Sequence, residues 1–146
     1  MSRGEYPATR MRRNRMKAFS RRLVAENSIS TDDLIWPLFV IEGTNCAEAI
    51  ASMPGVNRWS IDRLIDQAGL ALSLGIPAIA IFPSIDPAQK DATGSLARDG
   101  NNLVCRAVAA VKSAHPDLGI ICDVALDPFT DHGHDGLFVD GQILND

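Results

Sequence analysis

The chain has 146 residues, 46% of them hydrophobic, and a formal net charge of −4, which suits one globular core and excludes an intrinsically disordered chain. No apolar run approaches the roughly 18–20 residues that cross a bilayer, and no hydrophobic segment follows the Arg-rich N-terminus, so neither a membrane span nor a secretory signal is expected and the cytoplasm is the expected compartment. Cys46, Cys105 and Cys122 are widely spaced with no C-x-x-C pair, which argues against a zinc knuckle or redox motif and predicts reduced, mostly buried thiols, with Cys46 in a loop.

The charge is divided along the chain. Residues 1–22 hold eight basic residues against Glu5 alone, or +7, whereas residues 23–146 hold six basic and seventeen acidic residues, or −11. Residues 1–32 are therefore read as a basic N-terminal arm with one short helix over residues 17–24, and residues 28–33 as turn chemistry. Neither an aromatic pattern nor a motif accompanies the basic residues, so nucleic acid is not an expected partner.

Residues 34–41 form a nearly continuous apolar run of strand length, with Pro37 tolerable only at a bulge or early in the strand. Residues 44–59 read as a long polar connection with a turn at Met53-Pro54-Gly55. Ser60 then caps a helix with Asp62 in its first turn, an apolar face of Ile61, Leu64, Ile65, Ala68 and Leu72, and a stop at Gly75 and Pro77. Residues 78–82 are a strand without a polar residue, as expected when both faces are covered.

The unit repeats. After a polar loop over residues 84–100, Asn101 or Asn102 caps a second helix with Leu103, Val104, Ala107, Val108, Val111 and Ala114 on one face, and Pro116 follows its end. Residues 119–126 are the third apolar strand. Strand, helix, strand, helix, strand with non-alternating strands predicts a parallel α/β sheet, either a barrel or an open sheet. Glu42-Gly43-Thr44-Asn45 after the first strand is not a phosphate loop, which disfavours an open nucleotide-binding sheet.

The polar residues that carry chemistry gather in DVALDPFTDHGHDG at residues 123–136. Pro128 and Gly133 make a helix unfavourable, so the segment is the carboxyl end of a strand running into a loop, where parallel sheets bind ligands. Asp123 lies within the predicted apolar strand, where a carboxylate is costly to bury unless it is paired; it is either a site residue or a structural cap on backbone amides. Two carboxylates with His132 and His134 could also bind a divalent cation, the oxygens favouring magnesium or manganese and the histidines zinc, although the spacing matches no dedicated cage.

This segment closely resembles the metal-binding segment of the porphobilinogen synthases, the 5-aminolevulinic acid dehydratases. RRNR at 12–15, DLIWPLFV at 33–40, SMPGV at 52–56, LGIPA at 74–78 leading to Phe82-Pro83, and Leu144-Asn145-Asp146 keep the family's order and spacing over essentially the whole chain. The resemblance implies a TIM (β/α)8 barrel enzyme, of which residues 33–146 supply about the first three strands. The implied reaction joins two molecules of 5-aminolevulinate into porphobilinogen with loss of two waters, in tetrapyrrole and haem biosynthesis.

It further implies Asp127 and Asp135 as catalytic carboxylates, Asp123 as a supporting one, and Phe82 in the substrate pocket. Positions that carry three zinc-binding cysteines in zinc-dependent relatives are Ala125, Asp127 and Asp135 here. The chain thus resembles the aspartate-rich class, with no organic cofactor, no catalytic zinc, and a response to allosteric magnesium or to potassium. A homo-octamer assembled through the arm is implied, and no membrane partner.

The family forms Schiff bases on two lysines in later strands. Lys17, Lys90 and Lys112 lie in the arm, a polar loop and a solvated helix flank, so the 146-residue chain by itself is expected to be inactive and at best marginally folded. The alternatives are a truncated, non-enzymatic oligomerisation module and another barrel enzyme built on an Asp/His metal site.

Overall fold

The computed structural model of the protein describes residues 4, 5, 7–9 and 12–144; Arg3 and Arg10 of the basic arm, and Asn145 and Asp146, lie outside the described residues. Residues 1–30 and 31–146 form two separate units. In the first, two short helices replace the single predicted one: Arg13–Met16 (α1) and Ala18–Leu23 (α2), divided by an extended backbone at Lys17. Lys17 ends one helix and begins the next, its carbonyl accepting from the Ser20 hydroxyl at 3.0 Å. Within this unit Met16, Phe19 and Leu23 are exposed.

The second unit is built on a five-stranded sheet of order β2-β3-β1-β4-β5. Its strands are Ile35–Val40 (β1), Ala47–Ala49 (β2), Asn57–Trp59 (β3), Ala78–Pro83 (β4) and Gly119–Cys122 (β5), with helices Ile61–Ser73 (α3) and Leu103–Ala114 (α4) as crossovers. β1, β4 and β5 run parallel and are neighbours in chain order. Sequential parallel neighbours with both helices on one face are the arrangement of a barrel wall rather than of a doubly wound sheet.

Burial explains why the helices lie there. Leu38 and Val40 of β1, Ile79 and Ile81 of β4, and Leu64, Ala68, Ala71, Leu103, Ala107 and Val111 of the helices form one buried cluster. On β4 only this face is fully buried, while Ala78, Ala80 and Phe82 on the other are half-buried; the uniform apolar run overstates the covering. Leu72, predicted on the inner face of α3, is exposed, and Ala71 is buried in its place.

Pro37 sits inside β1 without a missing ladder bond. The Val40 carbonyl accepts from Ser84 beyond β4, and the Ile41 amide donates to Trp59 of β3. By alternation the Pro37 nitrogen faces β3, and pairing with β3 begins only at Phe39.

Residues 44–59 are not a plain connection. β2 and β3 form an antiparallel hairpin in which Glu48 lies opposite Arg58, and the two make an ion pair of 2.9 Å. Ser60 occupies the N-cap of α3 but makes no cap bond; its hydroxyl instead accepts from the Cys46 amide at 2.9 Å. Asp62, whose pKa is lowered chiefly by the Ser60 hydroxyl, accepts from the Asn45 amide at 2.8 Å. The start of α3 thereby anchors the hairpin.

At the other end of α3, Ile76 donates to Ala71 and Gly75 to Leu72, each at 2.9 Å. That paired closure needs a left-handed residue, and Gly75 supplies it at φ +75°. Gly75→Ala would put a Cβ 3.2 Å from Thr31 Oγ1 and incur about 1–2 kcal/mol of backbone strain. The expected outcome is a lower urea midpoint with an unchanged slope; an unchanged midpoint would refute the closure.

α4 is capped as predicted at one of its two candidates, Asn102, whose side chain accepts from the Cys105 amide at 2.9 Å. The third strand is shorter than expected, for β5 ends at Cys122 rather than 126. A second hairpin, Leu137–Val139 (β6) and Gln142–Leu144 (β7), turns through Asp140 and Gly141, both at positive φ. Among the described residues no barrel closes and no helix is long and apolar enough to cross a membrane.

Candidate active site

Alternation along the parallel strands divides the sheet into a helix side and an inner side. Phe39 and Phe82 are in register across β1 and β4, opposite in direction to the buried Leu38, Val40, Ile79 and Ile81, and their rings are 5.8 Å apart. Phe82 thus lies on the inner side at the carboxyl end of β4. Beside it opens a cavity of about 320 Å³ lined by Phe39, Met53, Arg58, Ser84 and Lys90.

Residues 123–136 leave the carboxyl end of β5 as a loop, as expected. Asp123 was expected inside an apolar strand, but it is the first residue past the strand and is exposed. The desolvation argument for it therefore falls away. Asp127 is also exposed, and among the described residues neither carboxylate has a hydrogen-bond or ion-pair partner. Asp135 differs: its Oδ1 accepts from the amides of Leu126 at 2.6 Å and Asp127 at 3.1 Å. One carboxylate of the loop thus holds the backbone that presents another.

The loop is closed from within by Thr130, 1% exposed, whose hydroxyl donates to the His134 carbonyl at 3.0 Å. His132 stacks between His134 and Phe138 of β6. Its Nε2 lies 3.2 Å from the Ala92 carbonyl and so must be the protonated nitrogen, which leaves Nδ1 buried and unpartnered among the described residues. These imidazoles serve packing and loop contacts, and among the described residues no three His, Cys, Asp or Glu side chains converge on a metal position.

Residues 84–100, read from sequence as a polar loop, are ordered around Asp91. Its carboxylate accepts from the Thr93 amide and hydroxyl, each at 2.8 Å, and from the Ser95 amide and hydroxyl. The Ser95 hydroxyl first, then Thr93, holds this carboxyl far below the usual carboxylate range. Asp91 is the residue that the sequence reading passed over. Its signal was present: Asp-x-Thr-x-Ser is turn chemistry in which a carboxylate meets two hydroxyls.

The cysteines are not mostly buried. Cys105 and Cys122 are exposed and line a groove of about 650 Å³ with Val108, Val124 and Leu126. Cys122 is in register with Ile81 and so lies on the helix side; burial, then Cys105, raises its pKa. Cys46 lies in the hairpin segment. At the three positions in the acidic loop, Ala125 has no donor atom, Asp127 is a hard carboxylate and Asp135 is engaged with amides. That donor set does not fit a zinc ion.

Of the lysines, Lys112 is exposed on the flank of α4 as expected, and its Nζ donates to the carbonyls of Pro116 and Leu118 beyond the helix end. Lys90 is half-buried at the cavity beside Phe39, a less solvated place than a polar loop suggests. Lys17 is exposed in the arm.

Residues 8–146 match the family model described as delta-aminolevulinic acid dehydratase. A delta-aminolevulinic acid dehydratase of Bradyrhizobium diazoefficiens is 58% identical over 139 residues, covering 95% of this chain and 39% of the relative. One from Chlamydia pneumoniae is 46% identical, covering 94% of this chain and 41% of its own. A crystal structure of the Toxoplasma gondii ME49 enzyme, in complex with the reaction product porphobilinogen, superposes with a TM-score of 0.86 at 40% identity, covering 94% of this chain and 40% of that one. The chain spans about two-fifths of the length of these relatives.

Proposed function

The chain belongs to the delta-aminolevulinic acid dehydratase family, whose fold is the TIM barrel, and on that premise we propose that it is the acidic half of a porphobilinogen synthase active site. The full-length protein carrying it would condense two 5-aminolevulinate molecules into one porphobilinogen and two waters. The observation that supports this most is the loop at the carboxyl end of β5, which Asp135 fastens through two amides while Asp127 stays exposed. Barrel enzymes place their reacting groups at this end of the strands.

In this reading Asp127 positions the second substrate's amino group and carries protons to and from it. Asp135 supports both tasks, one oxygen holding the Asp127 backbone. Asp123 is an auxiliary carboxylate beside them, and Phe82, paired with Phe39, forms an apolar wall of the substrate pocket. The two Schiff-base lysines belong to parts of the family's barrel beyond these 146 residues.

The aspartates at 127 and 135 favour the class without catalytic zinc, responsive to magnesium or potassium, in a cytoplasmic enzyme. Residues 1–32 are the subunit-contact arm: the basic charge of residues 1–22 is +7 against −11 for the remainder, and Phe19 and Leu23 stand exposed on it. The expected assembly is an octamer.

The test is a product assay on the full-length protein. Porphobilinogen should form from 5-aminolevulinate, persist under a zinc-selective chelator, and come from an octamer that shrinks when residues 1–22 are removed. Absence of product would overturn the function, zinc dependence the class, and an unchanged particle size the role of the arm. A non-enzymatic oligomerisation module would instead keep its assembly and yield no product.

A further inference from the structure

β4 and β5 pair in parallel as far as Ile81 and Cys122, after which their chains diverge into separate loops. They meet again at one isolated parallel bridge, Asp91 with Thr130. There the Asp91 amide donates to Phe129 at 3.4 Å, and the Asp131 amide donates back to Asp91 at 3.1 Å. One residue therefore grips both sides of Thr130, the buried threonine that closes the acidic loop.

The Asp91 side chain fixes the backbone that makes this grip. It gathers the amides and hydroxyls of Thr93 and Ser95 into a tight turn. Gly94, left-handed at φ +60°, lets that turn lean on the acidic loop: a Cβ there would lie 3.4 Å from both Leu126 Cδ2 and Thr130 Cγ2. The turn is in turn anchored to α4, since the Ala97 amide donates to Gly94 at 2.9 Å and the Asn102 amide side chain to Ala97 at 3.3 Å.

We propose that Asp91 is a positioning residue for catalysis, a latch that transmits the rigid start of α4 through the 91–95 turn to residues 129–131 and so sets where Asp127 stands. The inference rests on the reading of Asp127 given above. Asp91 need not touch substrate. Its carboxylate is saturated by four donors, and its effect passes through backbone bonds. The same donors, the Ser95 hydroxyl first, hold the Asp91 carboxyl well below the usual carboxylate range.

The experiment is a set of variants in the full-length protein: Asp91→Ala and Asp91→Asn, each alone and combined with Asp127→Asn. Misplacing a reacting group by a fraction of an ångström is costly, so Asp91→Ala should lower kcat about ten-fold or more with little change in KM and an unchanged oligomer. Asp91→Asn should recover most of it, because the amide oxygen still accepts from the Thr93 and Ser95 amides. In the Asp127→Asn background the Asp91→Ala loss should shrink to less than about two-fold, because the two act as one unit. Equal losses in both backgrounds, or an undiminished kcat for Asp91→Ala, would overturn the latch.

Hydrogen exchange separates this outcome from failure of the Asp127 reading. Asp91→Ala should speed exchange of the Asp131 amide at least about ten-fold whatever Asp127 does. If Asp127→Asn alone turns over normally, the role of Asp127 falls. The physical latch then stands on accelerated exchange and is refuted by unchanged exchange.

Discussion

Asp127→Asn in the full-length protein is expected to lower kcat by a factor of about 100 to 10,000, the usual worth of a positioned proton-transfer group, while folding and assembly survive. The substitution keeps size and shape and removes only the ability to ionise and carry a proton. Its structural cost should be small, because among the described residues the Asp127 carboxylate makes no hydrogen bond or ion pair, and exposed substitutions of that kind usually stay within about 0.5 kcal/mol. What holds the loop is the Asp127 amide, donated to Asp135 at 3.1 Å, and asparagine retains it. A large fall in kcat with an unchanged melting transition therefore reports chemistry, whereas near-normal turnover would refute the assignment.

A polypeptide of these 146 residues alone should produce no detectable porphobilinogen and should fold only marginally. Two independent features lead there. Of its lysines, Lys112 is tied to two carbonyls and Lys17 lies exposed in the arm. Lys90 lines a cavity with Phe39, Arg58 and Ser84 whose lining holds no residue of the acidic loop at 123–136, so its amine is not presented to the carboxylates assigned to the reaction. The second feature is surface. Among the described residues β5 pairs only with β4, Val124 is 99% exposed, and Ile121 is exposed with it, next to the 650 Å³ groove lined largely by apolar side chains. A barrel needs eight strands in about 250 residues to cover such an edge, and an open one favours association. Dye binding to exposed apolar surface and a broad unfolding transition are expected; a sharp transition with product formation would refute both arguments.

The parallel core was legible because its cause is local. Uniform apolar strands and helical faces at 61–72 and 103–114 declare themselves through period and capping, and Asn102, Gly75 and Pro37 each behave as their backbone chemistry dictates. The hairpins were not seen, although Asp140-Gly141 between Leu137, Val139 and Leu144 is a recognised turn signal; short exposed strands carry no core pattern to draw notice. Asp123 was misplaced for a related reason. The apolar run continues to Leu126, but pairing with β4 stops at Cys122, and pairing partners are not written in a single strand.

The acidic loop was found as a cluster of residue types, and its internal order was not. Nothing in DVALDPFTDHGHDG tells that Asp135 serves amides while the Asp127 carboxylate has no partner among the described residues, since both are aspartates on one loop. Likewise the link from Asp91 to Thr130 joins residues far apart in sequence, and only the fold brings them together. The buried-thiol expectation failed because Cys105 and Cys122 face the groove beside the edge strand β5 instead of the packed cluster between sheet and helices.

The carboxylate half of a porphobilinogen synthase proposed for these residues requires carbonyl-activating lysines elsewhere in the full-length protein. Borohydride trapping with 5-aminolevulinate, followed by peptide mapping, tests it most directly. Reduced adducts are expected only on lysines outside residues 1–146 and none on Lys17, Lys90 or Lys112. An adduct on any of those three would contradict it.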